Sequence, residues 1–406
     1  MKKLILPLLV AIFTAVQAFA YDFSAVSPSG HTLYYSYVSK TDKTVELTYE
    51  ISYSEPYETQ PEGDLIIPAT VENEGVQFTV ISIGNSAFYN CKKIKSVVIQ
   101  EGVTTIVNAA FKNCDRLQSV TLPESIVTIK DFAFSSCIKL QSINLPNSLT
   151  TIGGNAFSLC SSLESIIIPN SILIIEGYTF MGCTNLVSVT LPKELTKIKE
   201  DAFYSCENLK SITLPNSLTY IGEYAFYCTY AMTSISIPAN VTEIGKHALD
   251  NPYLKNLFLN STNPPYIEED FVDPSYLPNI YVPCDALGNY QNDEDWELYK
   301  DYLKTIKHKV LLLSTDKHGY ATIEAENMCD DEYEATLRVV YQSDYTFGGW
   351  SDGNKENPRT ITVTKDTSFT ALFGEKPQIN NLQQVNPICT SATGSISFEV
   401  TNGVAP

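Results

Sequence analysis

The chain has 406 residues, 44% of them hydrophobic, and carries 46 acidic against 27 basic side chains for a formal net charge of −19. At roughly 100–200 residues per domain this length allows two to four domains, and the apolar content excludes a globally disordered chain. The acidic balance argues against nucleic acid or anionic lipid as partners, because faces that bind phosphate need net positive charge. The charge is unevenly spread. Residues 21–79 carry 2 basic and 10 acidic side chains, residues 80–260 carry 13 of each, and residues 261–406 carry 10 basic and 23 acidic. A neutral middle between acidic flanks points to a segmented chain.

Residues 1–20 have the three parts of a secretory signal. Lys2 and Lys3 make a basic start, residues 4–16 are mostly apolar, and Ala18-Phe19-Ala20 is a small-x-small cleavage site. The apolar run is shorter than the ~20 residues that span a bilayer, so cleavage is expected over anchoring. The first cysteine is Cys91, so none follows the run to accept a lipid. No later stretch is apolar enough to span a membrane. The expectation is an exported chain, secreted or at the cell surface, with no membrane insertion once the signal is removed.

From residue 80 the chain repeats itself every 23 residues. Cys91, Cys114, Cys137, Cys160, Cys183 and Cys206 keep this step, as do Phe88, Phe111, Phe134, Phe157, Phe180, Phe203 and Phe226. Pro123, Pro146, Pro169, Pro192, Pro215 and Pro238 do the same. The unit reads Leu-x-Ser-Ile-x-Leu-Pro-x-x-Leu-x-x-Ile-x-x-x-Ala-Phe-x-x-Cys-x-x, and a fixed period in this range with a Leu-x-x-Leu-x-Leu core marks a leucine-rich repeat solenoid. One coil cannot bury its apolar face alone, so neighbours stack into a continuous core. In Leu209-Lys210-Ser211-Ile212-Thr213-Leu214, alternation points Ile212 and Leu214 inward and Ser211 and Thr213 outward, on short strands of a parallel sheet. Pro215 has no amide donor and ends the strand. The Ala-Phe pair is expected to plug the core from the opposite side, on a short 3₁₀ or helical turn. About eight coils fill residues 80–260, and Asn279-Ile280-Tyr281-Val282 supplies a ninth, degenerate strand.

This unit resembles the BspA-like leucine-rich repeats of bacterial surface proteins. The residues that carry the resemblance are Ile83-Gly84-x-x-Ala87-Phe88-x-x-Cys91, Ile152-Gly153-x-x-Ala156-Phe157 and the repeated Leu-Pro strand ends, within residues 60–305. Tyr21-Asp22-Phe23 with Leu33-Tyr34-Tyr35 is similar to the family's N-terminal segment. Ile280-Tyr281-Val282-Pro283, Tyr290 and Trp296 are similar to its closing motif. Both flanks make physical sense, since open solenoid ends expose apolar faces and strand edges. The pattern lapses at Gln100 for Pro, Thr179 for Ala, Leu249 for Phe, and Cys228 one residue early. The organisation that follows is a signal at 1–20, a β-rich cap at 21–79, a solenoid at 80–283 and a closing motif at 284–309.

Ten cysteines in an exported chain invite a disulfide reading. Six of them, however, share one repeat column, where side chains run parallel about one strand spacing apart and do not converge as a disulfide requires. A buried, unpaired ladder of small apolar fillers is expected there. Neither a Cys-x-x-Cys nor a neighbouring His suggests metal. Spacing does not pair Cys284, Cys329 and Cys389. The outward sheet positions are where a solenoid usually meets partners, and the candidate binding residues on this concave face are Ser119, Thr121, Ser142, Asn144, Ser165, Ile167, Ser188, Thr190, Ser211 and Thr213. The same columns extend to Ser96, Val98, Ser234, Ser236 and Phe258. Small hydroxylic residues also simply tolerate close strand stacking.

After Lys309 the period ends and strand-like alternation begins. Tyr345-x-Phe347-Gly348-Gly349-Trp350-Ser351-Asp352-Gly353 with Arg359 and Phe369-Thr370-Ala371-Leu372-Phe373 is similar to the internalin-type B repeat, a compact β module, over 310–374. Its aromatics at a Gly-rich turn read as a packed mini-core. Residues 375–406 read as an incomplete β repeat or tail. Asn386-Pro387-x-Cys389 and Gly394-Ser395-Ile396-x-Phe398-x-Val400 are similar to the opening of the gliding-adhesin repeat, whose continuation past Pro406 is missing, as in a truncated product.

No catalytic chemistry is legible. The four histidines, at 31, 247, 308 and 318, share no metal-like spacing. Hydrolase, zincin, P-loop and dinucleotide motifs are absent. Acidic runs such as Glu268-Glu269-Asp270 lack the alternating oxygen ligands and Gly of a calcium loop and read as solvated surface. Paired carboxylates could in principle serve a carbohydrate-processing enzyme, but repeats deliver ladders and not one unique cleft. No metal, cofactor or catalytic residue is expected. The family resemblance implies a non-catalytic adhesin that contacts host or microbial surface proteins or glycans, extracellular-matrix components among them. The alternative is a structural stalk or display element without its own ligand.

Overall fold

The computed structural model describes residues 21–50, 57–268, 270–307 and 310–401, with further gaps at 315–318, 326–327, 330–331, 342–344, 366, 376–377 and 386–394. The expected signal and its cleavage site lie outside these residues, as do Cys389 and the Asn386-Pro387 motif.

The 23-residue period is one coil of a β-solenoid with three sides. The first side is the expected parallel sheet. Ser119–Thr121, Ser165–Ile167 and Ser188–Thr190 each alternate exposed, buried, exposed, which places the branched apolar residue in the core and the hydroxyls outside. Pairing is in register with the repeat, Ser96 to Ser119 to Ser142 and Ser165 to Ser188. The second side carries two further parallel ladders of two-residue strands, Thr105–Ile106 through Thr128–Ile129 to Thr151–Ile152, and Ile174–Ile175 onward to Tyr266–Ile267, with the second residue of each strand, an isoleucine, buried.

The third side holds the Ala-Phe pair, and it is a turn with no helix. Two residues per coil take left-handed backbone. One series runs from Ser86, Ala109 and Phe132 to Asp270 with φ between 52° and 61°, and the other from Asn90 and Asn113 to Cys228 with φ between 54° and 70°. This geometry alternates the hydrogen bonds. The Ala87 N–H bonds within its own turn to the Gly84 carbonyl, whereas the Phe88 N–H reaches the Ala110 carbonyl of the next coil at 2.7 Å. A helix would spend both bonds locally and leave the coils unlinked on this side.

Inside, Phe88 to Phe226 form a stack with neighbouring ring centroids 5.1–5.7 Å apart and planes within 10° of parallel. Beside it runs the cysteine column, buried and unpaired. From Cys114 to Cys206 each thiol donates to a carbonyl one coil back, as Cys114 Sγ does to Phe88 O and Cys160 Sγ to Phe134 O, both at 3.2 Å. Where Cys228 comes one residue early, buried Thr229 takes the column position and donates its Oγ1 to Phe226 O at 2.8 Å. Thr179, in place of Ala, is likewise buried and gives its hydroxyl to Glu176 O at 2.7 Å.

Both ends are covered. At the N-terminus, Phe23–Val26, Thr32–Ser39 and Thr44–Thr48 form an antiparallel meander whose last strand joins Val76–Ile83 and through it the ladder that starts at Thr105–Ile106. Gly63–Ile67 extends the first sheet by pairing with Ile94–Ile99, and Tyr57 stacks on Phe88 at 5.7 Å to begin the ring ladder. At the other end, Trp296 packs against Phe271 and Tyr290 with centroids 5.4 and 4.9 Å away, and donates its indole N–H to the Pro265 carbonyl at 3.0 Å. Leu303–Ile306 then adds a last strand to the first sheet beside Asn279–Pro283.

Between residues 310 and 375 the described strands form two three-stranded sheets, Val310–Ser314 with Thr367–Glu375 and Tyr345–Trp350, and Gly319–Ala325 with Tyr333–Tyr341 and Arg359–Val363. Trp350 is fully buried between them and donates to the Glu356 carbonyl at 2.9 Å. Arg359 pairs with Asp352 at 2.7 Å and lies over the Phe369 ring. This core is continuous with Phe258, Tyr281 and Ile306 of the solenoid. A disulfide between Cys284 and Cys329, a pairing that spacing left open, joins the two parts. A final antiparallel pair, Gln378–Val385 with Ser395–Thr401, completes the described chain.

Candidate functional site

The outward row of the first sheet is built by the repeat itself. Ser119, Thr121, Ser142, Asn144, Ser165, Ile167, Ser188, Thr190 and Thr213 are all exposed, and Ser211 is half-buried. In-register pairing sets Ser96, Ser119 and Ser142 side by side, and likewise Ser165 and Ser188, about one strand spacing, ~4.8 Å, apart. Behind them Val120, Ile143, Ile166, Val189 and Ile212 are buried, so the row stands on a packed floor. No residue in this row carries a charge. Ile167 is the apolar exception at 70% exposed. At the N-terminal end, Ser96 donates its hydroxyl to Asp64 at 2.7 Å, which gives that edge an acidic neighbour.

The row does not continue to the end of the sheet. Ser234 and Phe258, which the alternation places outward, are 3% and 1% exposed. The reason is tertiary: the terminal module sits on Phe258 and Tyr281, whose rings stack at 5.0 Å. The open part of the face therefore spans residues 96–213 and ends against a wall.

Two groups of residues were not singled out by sequence reasoning. Tyr204 with Tyr227, and Tyr224 with His247, stack at 5.1 Å on the turn side, half-buried, in columns where earlier coils carry single aromatics at Tyr89, Phe132 and Tyr178 among small or polar residues. The legible signal was that ring-bearing residues of one column fall here in successive coils, 23 residues apart. Beside them burial pushes the Asp201 carboxyl up. Asn256 and Asn260 bring amides to the junction between sheet and module, and nothing in the 23-residue pattern marks them. The buried thiols offer no chemistry: burial raises every one of the column, Cys160 up to about 12, far from the thiolate that reactivity needs. Among the described residues no group of three or more His, Cys, Asp or Glu gathers to hold a metal. No helix among them is long and apolar enough to cross a membrane.

A family model for the BspA-type leucine-rich repeat region matches residues 81–199 and 173–290, together just over half of the chain. The chain belongs to the BspA-type leucine-rich repeat family. Solved structures of bacterial leucine-rich repeat proteins are similar to this BspA-type chain. A protein from Treponema pallidum is 27% identical with a TM-score of 0.43, over 49% of this chain and 87% of that one. One from Bacteroides ovatus is 24% identical with a TM-score of 0.42, over 70% and 83%. A leucine-rich cell surface protein from Faecalibacterium prausnitzii is 21% identical with a TM-score of 0.46, over 70% and 94%. No curated protein matches the chain significantly.

Proposed function

We propose that this BspA-type protein is an exported, cell-surface, non-catalytic binding protein, an adhesin that uses its repeat sheet to contact surface proteins or glycans of a host or of other microbes. The observation that carries this reading is the uncharged row from Ser119 to Thr213, open to solvent on a floor that every coil fixes. A rigid, flat, hydrogen-bonding surface suits extended contact, because little ordering entropy is lost when a partner docks. Repeated hydroxyls spread one chemistry over many coils, whereas catalysis needs unlike groups converging on one point. The sameness of the serine column also fits the second reading, a stalk that displays other modules.

The two readings part in one experiment. The purified full chain is passed over immobilised matrix proteins and a glycan panel, beside a Thr121→Arg/Thr190→Arg double variant. Both positions are exposed, so stability should stay within about 0.5 kcal/mol. The adhesin reading expects saturable binding on the order of micromolar, lost in the double variant. Absence of saturable binding to any surface speaks for the stalk.

A further inference from the structure

The sheet opens just before the terminal module. Residues 211–214 make a single bridge, Ser188 to Ser211, and no strand pairing joins them to Ser234–Ile237, which pairs with Asn256–Leu259 on its other side. Between the two lies a cleft of about 160 Å³. The hydroxyls of Ser211, Thr213, Ser234 and Ser236 and the amides of Asn216 and Asn260 line it, with Leu214 and Pro238 as apolar ground. No charged side chain takes part.

The polar lining is incomplete. Ser234 is 3% exposed and its Oγ has no hydrogen-bond partner, and neither has Asn260 Oδ1 or the nearby Asn256 Nδ2. Asn260 is nevertheless held in place, its Nδ2 donating to Ser236 Oγ at 3.2 Å and its backbone N–H to Ile237 O at 3.1 Å. Buried polar groups in folded proteins are satisfied with few exceptions, and an unsatisfied one is destabilising. A cleft that keeps a donor-acceptor hydroxyl and a free carbonyl oxygen unsatisfied is set up for a ligand that both donates and accepts.

We propose that this cleft binds one neutral pyranose ring, the terminal sugar of a glycan. Absence of charge in the lining disfavours anions and cations alike. Sugar hydroxyls donate and accept, as Ser234 and Asn260 require, and the C–H face of a ring suits Leu214 and Pro238. The volume lies below the roughly 300–1,000 Å³ of pockets for larger ligands, which matches a single ring. The next sugars of a chain would lie over Thr190 and Ile167, both exposed. The proposal rests on the reading of the sheet face as contact surface and names its ligand class.

The test titrates the purified full chain with free glucose, galactose, mannose and N-acetylglucosamine, with sialic acid as the charged control, and follows saturation-transfer NMR and calorimetry. At least one neutral sugar should bind, with a dissociation constant of roughly millimolar, the scale for a dozen non-hydrogen atoms. Sialic acid should not. Thr213→Leu, at an exposed rim position, and Ser236→Val should each weaken binding at least tenfold, and Thr121→Leu, outside the cleft, should leave it unchanged. The proposal is overturned if no neutral sugar binds, if both cleft variants bind as the parent does, or if Thr121→Leu weakens binding equally. Should sugars fail while Thr121→Arg/Thr190→Arg still abolishes capture on a surface, the cleft falls and the wider reading stands. Should sugars bind in the cleft while that double variant keeps full capture, the reverse holds.

Discussion

The thiol of Cys160 donates to the Phe134 carbonyl from a site with no solvent exposure, and burial lifts it from 9.0 to about 12. Its neighbours in the column shift the same way for the same reason. Between pH 9 and about 12 the unfolded chain therefore gives up thiol protons that the folded chain keeps. This contribution to stability is full below pH 9 and is lost as pH rises, by about 1.4 kcal/mol per pH unit for each such thiol. Urea midpoints measured from pH 8 to 10.5 should fall steadily, and less steeply in Cys160→Ala; a flat profile contradicts the buried-thiol picture. The left-handed turn residues permit a second check. Ala109, at φ 54°, bears a strain of about 1–2 kcal/mol that glycine would not. Allowing for glycine's greater freedom when unfolded, Ala109→Gly should stabilise by about 0.5–1 kcal/mol in the same urea assay. The thiol column was readable from spacing alone, because parallel side chains cannot meet as disulfides. The left-handed positions were not: they hold Ser, Ala, Phe, Asn, Tyr, Asp, His, Leu and Cys, and in the two series only Gly182 is a glycine. Their backbone is imposed by the bonds to the next coil and not by local preference.

At the scale of one coil, the phenylalanine ring is the piece each unit shares with both neighbours. Phe157 lies between Phe134 and Phe180 at 5.6 and 5.7 Å and is fully buried. Removing it should cost about 3–5 kcal/mol. In a stacked array a central lesion also uncouples the halves. Phe157→Ala should therefore split thermal unfolding into two resolvable calorimetric transitions, while Phe88→Ala, beside the cap, lowers the midpoint without splitting it. A single cooperative transition in Phe157→Ala would show that coupling runs through the two sheets alone. The first sheet was legible because Ser-Ile-Thr alternates in and out. The ladders of the second side were missed because two residues, such as Thr128–Ile129, are too short to display any period.

For the molecule as a whole, the terminal module decides how much of the sheet is open. It covers Phe258 and Tyr281 and is tied down by the Cys284–Cys329 link across 45 residues. A cross-link over that length stabilises by about 4 kcal/mol in a chain-entropy picture. Cys329→Ser should leave the solenoid folded, as reported by the environment of buried Trp296, yet speed amide exchange in Asn256–Leu259 by loosening the module. Unchanged protection in that strand would assign the docking to apolar packing alone. The coil length, the inward and outward columns, the phenylalanine and cysteine ladders and the row from Ser119 to Thr213 all follow from periodicity, since a repeated unit must bury the same positions each time. The boundary of the face at Ser234, the opening between residues 211–214 and Ser234–Ile237, the tyrosine cluster on the turn side and the pairing of Cys284 with Cys329 do not. Each arises where one coil departs from the repeat or where distant segments meet, and contacts between segments with no common period leave no trace in spacing.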